Sequence, residues 1–137
     1  MTTPQEVLAD VPLFAMLPKN EVAKLARAAN WLTFPAGTVI TDVDRVGLSF
    51  GVIVAGQAAV SVRGQPVRAL GPGDYFGEMA LIEDSHRYRS AKITAATELH
   101  CLLFAKSDFR PFAMDHPQTA WALLEMMVRR VWEAENR

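Results

Sequence analysis

An α+β fold, with helices at both ends of the chain and a sandwich or barrel of short strands between them, is predicted by three observations. The first 30 residues and residues 118–135 carry apolar side chains at helical spacing. From Thr38 to about Phe104 the pattern changes to short β-prone runs. Those runs are punctuated by Gly47, Gly56, Gly64, Gly71 and Gly73, at the regular intervals that strand-turn-strand architectures need.

At the N-terminal end, Pro12 divides the helical region in two, because a proline interrupts a helix. Pro18 before Lys19-Asn20-Glu21 suits a helix start, and Val22, Leu25, Ala26 and Ala29 form the apolar stripe that follows. The turn Pro35-Ala36-Gly37 ends this part. Strands are predicted over 38–41, 50–54, 58–62, 66–70, 91–95 and 99–104, with Arg63-Gly64-Gln65 as a tight hairpin turn. A short helix is predicted over 107–114, ending at the Asp115-His116-Pro117 break. In the last helix, 118–135, Trp121, Leu124, Val128 and Val131 share one face, which Met127 and Trp132 widen. Glu125, Arg129 and Glu133 are four apart and support the opposite face. The three tryptophans, Trp31, Trp121 and Trp132, read as packing residues, although the last two lie on a helix that can cover a bound ligand.

The 137 residues suffice for one hydrophobic core, and the whole span 1–137 reads as a single domain: helices over 1–34, a β unit over 35–106, helices over 107–137. Half of the residues are hydrophobic and the net charge is −1, which excludes a disordered chain and leaves no basic footprint for nucleic acid. No apolar run reaches the length of a membrane span. The N-terminal stretch MTTPQEVLADVP has no basic region or hydrophobic core of a secretory signal. The single cysteine, Cys101, cannot form an internal disulfide and fits a reducing cytoplasm. It lies in an apolar run and reads as a buried structural thiol. His86, His100 and His116 share no close ligand spacing, and adjacent strand residues such as His100 and Cys101 face opposite ways. No enzyme, metal or cofactor is expected from this set.

The chemistry concentrates in LGPGDYFGEMALIEDSHRYRSAKITA, residues 70–95. Gly77 lacks a Cβ and lets backbone approach a ligand. The N–H groups of Met79, Ala80 and Leu81, at a turn or first helical turn, can point at an anion. Glu78 is an acceptor suited to a ribose 2′-OH. Arg89 offers a planar fork of donors to a phosphate, and Ser90 adds a hydroxyl. Together they suit a small ligand that carries both a phosphate and a sugar hydroxyl.

Phe76-Gly77-Glu78-Met79-Ala80-Leu81 followed by Arg89-Ser90-Ala91 resembles the phosphate-binding cassette of the cyclic nucleotide-binding domain family. Gly71, Gly73-Asp74, Pro12-Leu13-Phe14, Gly37 and Ile53-x-x-Gly56 also stand where such domains carry them. The run from Pro117 through Arg129-Arg130 resembles the ligand-side helix of bacterial catabolite activators. The resemblance implies an antiparallel β jelly-roll barrel flanked by N-terminal helices and a C-terminal helix, with the cassette over 71–91. It implies that Glu78 binds the ribose, that Arg89 pairs with the cyclic phosphate, and that the Ala80 N–H and Ser90 complete the cradle. Trp121, Arg130 and Trp132 would form a lid. The expected ligand is cAMP or cGMP. The expected role is a stand-alone cytoplasmic receptor that signals to a partner protein through its C-terminal helix, which could also serve as a homodimer seam. The alternative is a jelly-roll interaction module with a vestigial pocket or another small ligand. The chain departs from the family pattern at several places: Gly51 replaces a frequent aromatic, Asp42 to Gly47 lacks the usual Glu-Gly-Asp turn, and Tyr88 replaces a proline. Ala134 and Glu135 fall where activators carry a Thr-Ser pair toward adenine.

Overall fold

The computed structural model describes residues 3–11, 14–15, 17–40, 49–77 and 91–135, without the side chains of Ser49, Ala91, Lys106, Met126, Arg130, Glu133 and Ala134. In chain order the elements are α1 (Pro4–Ala9), α2 (Lys19–Ala28), β1 (Asn30–Phe34), β2 (Ser49–Ala55), β3 (Ala58–Val62), β4 (Gln65–Leu70), β5 (Tyr75–Phe76), β6 (Ala91–Ala95), β7 (Leu99–Ala105), α3 (Lys106–Asp115) and α4 (Pro117–Glu135). The strands form two antiparallel sheets, one ordered β1-β7-β2-β5 and one ordered β4-β3-β6.

Local chemistry explains most of these boundaries. Thr3 caps α1 by accepting the Glu6 N–H on its hydroxyl at 3.2 Å. Pro18 stands at the N-cap of α2, where its extended backbone turns into the helix. Arg63 and Gly64 both take positive φ, 54° and 80°, so the β3–β4 connection is a two-residue turn that matches strand twist.

The central strands β2 and β7 are covered on both faces, which is why 101–104 reads as a continuous apolar run rather than an alternation. Phe50, Val52, Leu102 and Phe104 face the helices and pack with Leu8, Phe14, Val22, Leu25, Phe109 and Leu123. Ile53, Leu99 and Cys101 face the interior of the roll with Phe34, Ile40, Leu70, Phe76 and Ile93. The Phe109 ring stacks on Phe50 with centroids 4.6 Å apart and meets Phe14 at 6.2 Å and Phe104 at 6.0 Å. This aromatic cluster fastens α3 to the sheet.

Three expectations are corrected. Asn30–Phe34, assigned to the N-terminal helical part, is a strand that pairs with β7 from Asn30↔Leu103 to Phe34↔Leu99. Trp31 and Leu32 are both exposed, so no inside-outside alternation marks it in the sequence. The first predicted β run is reduced to a bridge between Val39 and Thr94, and Thr41 lies outside the described residues. The tryptophans do not pack in the core: Trp31 is 40 % exposed, and Trp121 and Trp132 are each 63 % exposed. On α4 it is Thr119 and Leu123 that are buried, with Ala122 and Met127 partly so, while Leu124, Val128 and Val131 join the two tryptophans on the outward side.

Candidate functional site

The cassette begins on a turn that the fold holds from several directions. Within Gly71-Pro72-Gly73-Asp74, the Asp74 N–H donates to the Gly71 carbonyl at 3.0 Å and Gly73 has φ +89°. Proline followed by a positive-φ glycine is the type II turn pattern. The Asp74 carboxylate accepts the Gly71 N–H at 2.8 Å. The turn is then tied to β2, because Gly73 N–H donates to the Ile53 carbonyl at 2.8 Å and Ile53 N–H to the Asp74 carbonyl at 2.9 Å. Asp74 is therefore a turn-forming residue, with its carboxylate engaged inside the turn.

From this turn β5 runs along β2, pairing Val52 with Tyr75 and Gly51 with Phe76. Gly77 follows at φ +81°, a conformation that a Cβ would strain. At the other end, Ala91 opens β6 opposite Val62 of β3. Residues 78–90 thus join β5, at the edge of one sheet, to β6, at the edge of the other. Of the expected ligand residues, Gly77 is within the described structure. Glu78, Met79, Ala80, Leu81, Arg89 and Ser90 lie outside the described residues, as do Asp42 to Gly47 and Tyr88. Of the expected lid, Trp121 and Trp132 point outward from α4, and the Arg130 side chain lies outside the described residues.

The interior of the roll is apolar. Among the described residues the buried side-chain oxygens include Thr119 Oγ1, on α4, and the Tyr75 hydroxyl, on the helix side of the sheet.

Two histidines illustrate what spacing alone does not show. His100 Nδ1 lies 3.1 Å from the Thr33 hydroxyl and Nε2 3.1 Å from Glu98 Oε1, with Cys101 turned to the opposite, fully buried face. Burial pushes the Cys101 thiol up to about 12. His116, read in the sequence as part of a helix break, is the junction of three helices, and a histidine directly before a helix-starting proline was the available signal. Among the described residues no group of three or more metal-ligating side chains converges. Among the same residues no helix is long and apolar enough to cross a membrane.

Two antiparallel sheets closed around an apolar interior, helices on one outer face and a glycine-started segment linking the sheet edges define an α+β jelly-roll domain. The family model for the cyclic nucleotide-binding domain matches residues 31–116. A cyclic nucleotide-gated potassium channel of Rhizobium etli is 35 % identical over 125 residues, 91 % of this chain and 34 % of the channel. A cAMP-dependent protein kinase regulatory subunit of Emericella nidulans is 35 % identical over 105 residues, 75 % of this chain and 25 % of that protein. Among solved structures, the Thermus thermophilus catabolite activator protein superimposes with a TM-score of 0.75 at 25 % identity, covering 90 % of this chain and 60 % of that one. The cAMP-bound PfPKA-R shares the fold with a TM-score of 0.77 at 20 % identity, covering 96 % of this chain and 44 % of that one. The chain belongs to the cyclic nucleotide-binding domain family. It spans about a third or less of the length of these two sequence relatives.

Proposed function

We propose that this chain is a non-catalytic receptor for cAMP, or for cGMP, acting in the cytoplasm and passing the signal to a partner protein through α4. The observation that carries the reading is the position of the cassette motif. Phe76 to Leu81 and Arg89 to Ala91 fall inside the matched region, on the segment between the two sheet edges. In this reading Glu78 accepts the ribose 2′-OH. Arg89 neutralises the cyclic phosphate, and Ser90 with the N–H groups of Met79, Ala80 and Leu81 completes the cradle. The names of the Emericella nidulans relative and of PfPKA-R in its bound form favour cAMP as the first ligand to test.

Signalling requires that the ligand bind one conformation better than another. The helix α4 is the element placed to respond, and its movement would have to carry the outward-facing Trp121 and Trp132, with Arg130, over the ligand for them to act as its lid. Its outward stripe of Trp121, Leu124, Val128 and Val131 is also a surface for a second copy or for an output protein. That stripe favours one competing reading, an interaction module whose pocket is vestigial.

Calorimetric titration of ligand-stripped protein with cAMP and with cGMP separates the two. Saturable binding is expected. Losing one partner of a buried ion pair costs on the order of 3–5 kcal/mol, so Arg89→Ala should weaken binding by more than about a hundredfold. Glu78→Ala should also weaken it sharply, with both variants folded. Binding of neither nucleotide by the folded native protein would select the interaction module, and unchanged affinity in both variants would refute the assigned residues.

A further inference from the structure

His116 is the residue on which α3, α4 and α2 meet. Its backbone N–H donates to the Ala113 carbonyl at 3.2 Å and closes α3. Its carbonyl accepts the N–H groups of Thr119 at 2.9 Å and Ala120 at 3.2 Å, which opens α4. Its ring stacks on Phe112 with centroids 4.2 Å apart. Nδ1 lies 2.8 Å from the Phe112 carbonyl oxygen, and Nε2 lies 2.9 Å from Glu21 Oε2 on α2. Both side chains of this pair are mostly buried.

The chemistry of the two ring partners differs from that at His100. The hydroxyl of Thr33 can donate or accept, so it suits a neutral His100 ring. A carbonyl and a carboxylate only accept. A neutral His116 ring carries one N–H and would turn a lone pair toward the other acceptor, whereas the imidazolium donates to both. From α2, Glu21 faces the ring, and its other oxygen is 3.4 Å from Lys24 Nζ. From α3 the facing groups are the Phe112 carbonyl and ring. Among the described residues no further charged side chain of α2, α3 or α4 comes within ion-pair distance of His116.

We propose that Glu21 and His116 form a proton-dependent latch that holds the α3–α4 elbow against α2. The protonated ring closes the latch, and loss of that proton frees the first turn of α4. This inference rests on reading α4 as the responding element, but the latch itself exists without ligand and is tested without it. With the ring protonated both ring bonds are present; when that proton is lost one of them is lost and the elbow loosens.

The test is native-state hydrogen exchange of the Thr119 and Ala120 amides in ligand-free full chain, from about pH 5 to about pH 8, corrected for intrinsic exchange. Protection in the native protein should fall by at least about tenfold across the range, the lower end of what one hydrogen bond to a charged group contributes. In Glu21→Gln the amide can donate to a neutral Nε2, so protection should persist at pH 8 and its pH dependence should vanish. In His116→Gln the pH dependence should vanish as well. A flat profile in the native protein overturns the latch, as does a native-like pH dependence in either variant. Direct observation of ring N–H signals on both nitrogens of His116 near pH 5, and on one near pH 8, is a second readout that does not depend on how well the variants fold. Failure of the nucleotide titration leaves these outcomes unaffected, so the two readings fall separately.

Discussion

Gly51 lies in β2 between Phe76 of β5 and Leu103 of β7. A Cβ at this position would stand 2.3 Å from Phe76 Cζ, 2.6 Å from Phe76 Cε2 and 2.7 Å from Leu103 Cδ2. Carbon atoms in favourable contact sit about 3.5–4.0 Å apart, so Gly51→Ala requires a retreat of roughly 1 Å by the Phe76 ring. That ring belongs to the interior cluster with Ile53, Leu99 and Cys101, where there is little room to move. Overpacking of this kind costs about 1–3 kcal/mol. Removing a strand glycine returns roughly 0.5–1 kcal/mol of backbone entropy, which leaves a net loss of up to about 2.5 kcal/mol. Urea unfolding followed by circular dichroism should show a lower midpoint with an unchanged slope. Phe76 is followed directly by Gly77, so the same variant should also weaken cAMP binding. Shortening the ring gives an internal control. Phe76→Leu combined with Gly51→Ala should cost less than the sum of the single variants by at least about 0.5 kcal/mol. An unchanged or raised midpoint for Gly51→Ala, or strict additivity with Phe76→Leu, would refute the picture of Phe76 occupying the space that the glycine leaves.

Phe109→Ala removes the ring that stacks on Phe50 and touches Phe14 and Phe104, and should cost about 3–5 kcal/mol by thermal or urea unfolding. A loss below about 1 kcal/mol would mean that α3 is not held to the sheet through this cluster. Cys101 is fully buried and its thiol is pushed up to about 12, so a disulfide reagent at neutral pH should label urea-unfolded but not native protein. The folded value lies above the ordinary 9.0, so the associated stability is complete below 9.0 and is lost as pH rises beyond it, a component that Cys101→Ala should lack. Rapid native labelling would contradict the closed interior.

Much of the fold was legible because its signals are local. The Arg63-Gly64 turn and the start of α2 after Pro18 are set by backbone chemistry within a few residues, and each stands where the residues suggested. The motif of 76–91 was likewise readable, because the order of residue types survives without coordinates. Strand β1 was not readable, since its partner β7 lies far along the chain and its own side chains show no alternation. The fit of Phe76 over Gly51 is a similar case, since only the register Gly51↔Phe76 reveals it. Periodicity identified α4 as amphipathic, yet it could not say which side faces the protein. Packing buried Thr119 and Leu123 and left the tryptophan-bearing stripe outside.

The sequence by itself determined the α+β class, most of the glycine-punctuated strands and the residue types of the cassette, because those depend on residue type and short spacing. The tertiary structure decided the pairing of β1 with β7, the Phe76 fit over Gly51, the outward face of α4 and the meeting of Glu21 with His116. These are contacts between residues distant in sequence, fixed by which surfaces the whole chain can bury together, and no local pattern encodes them.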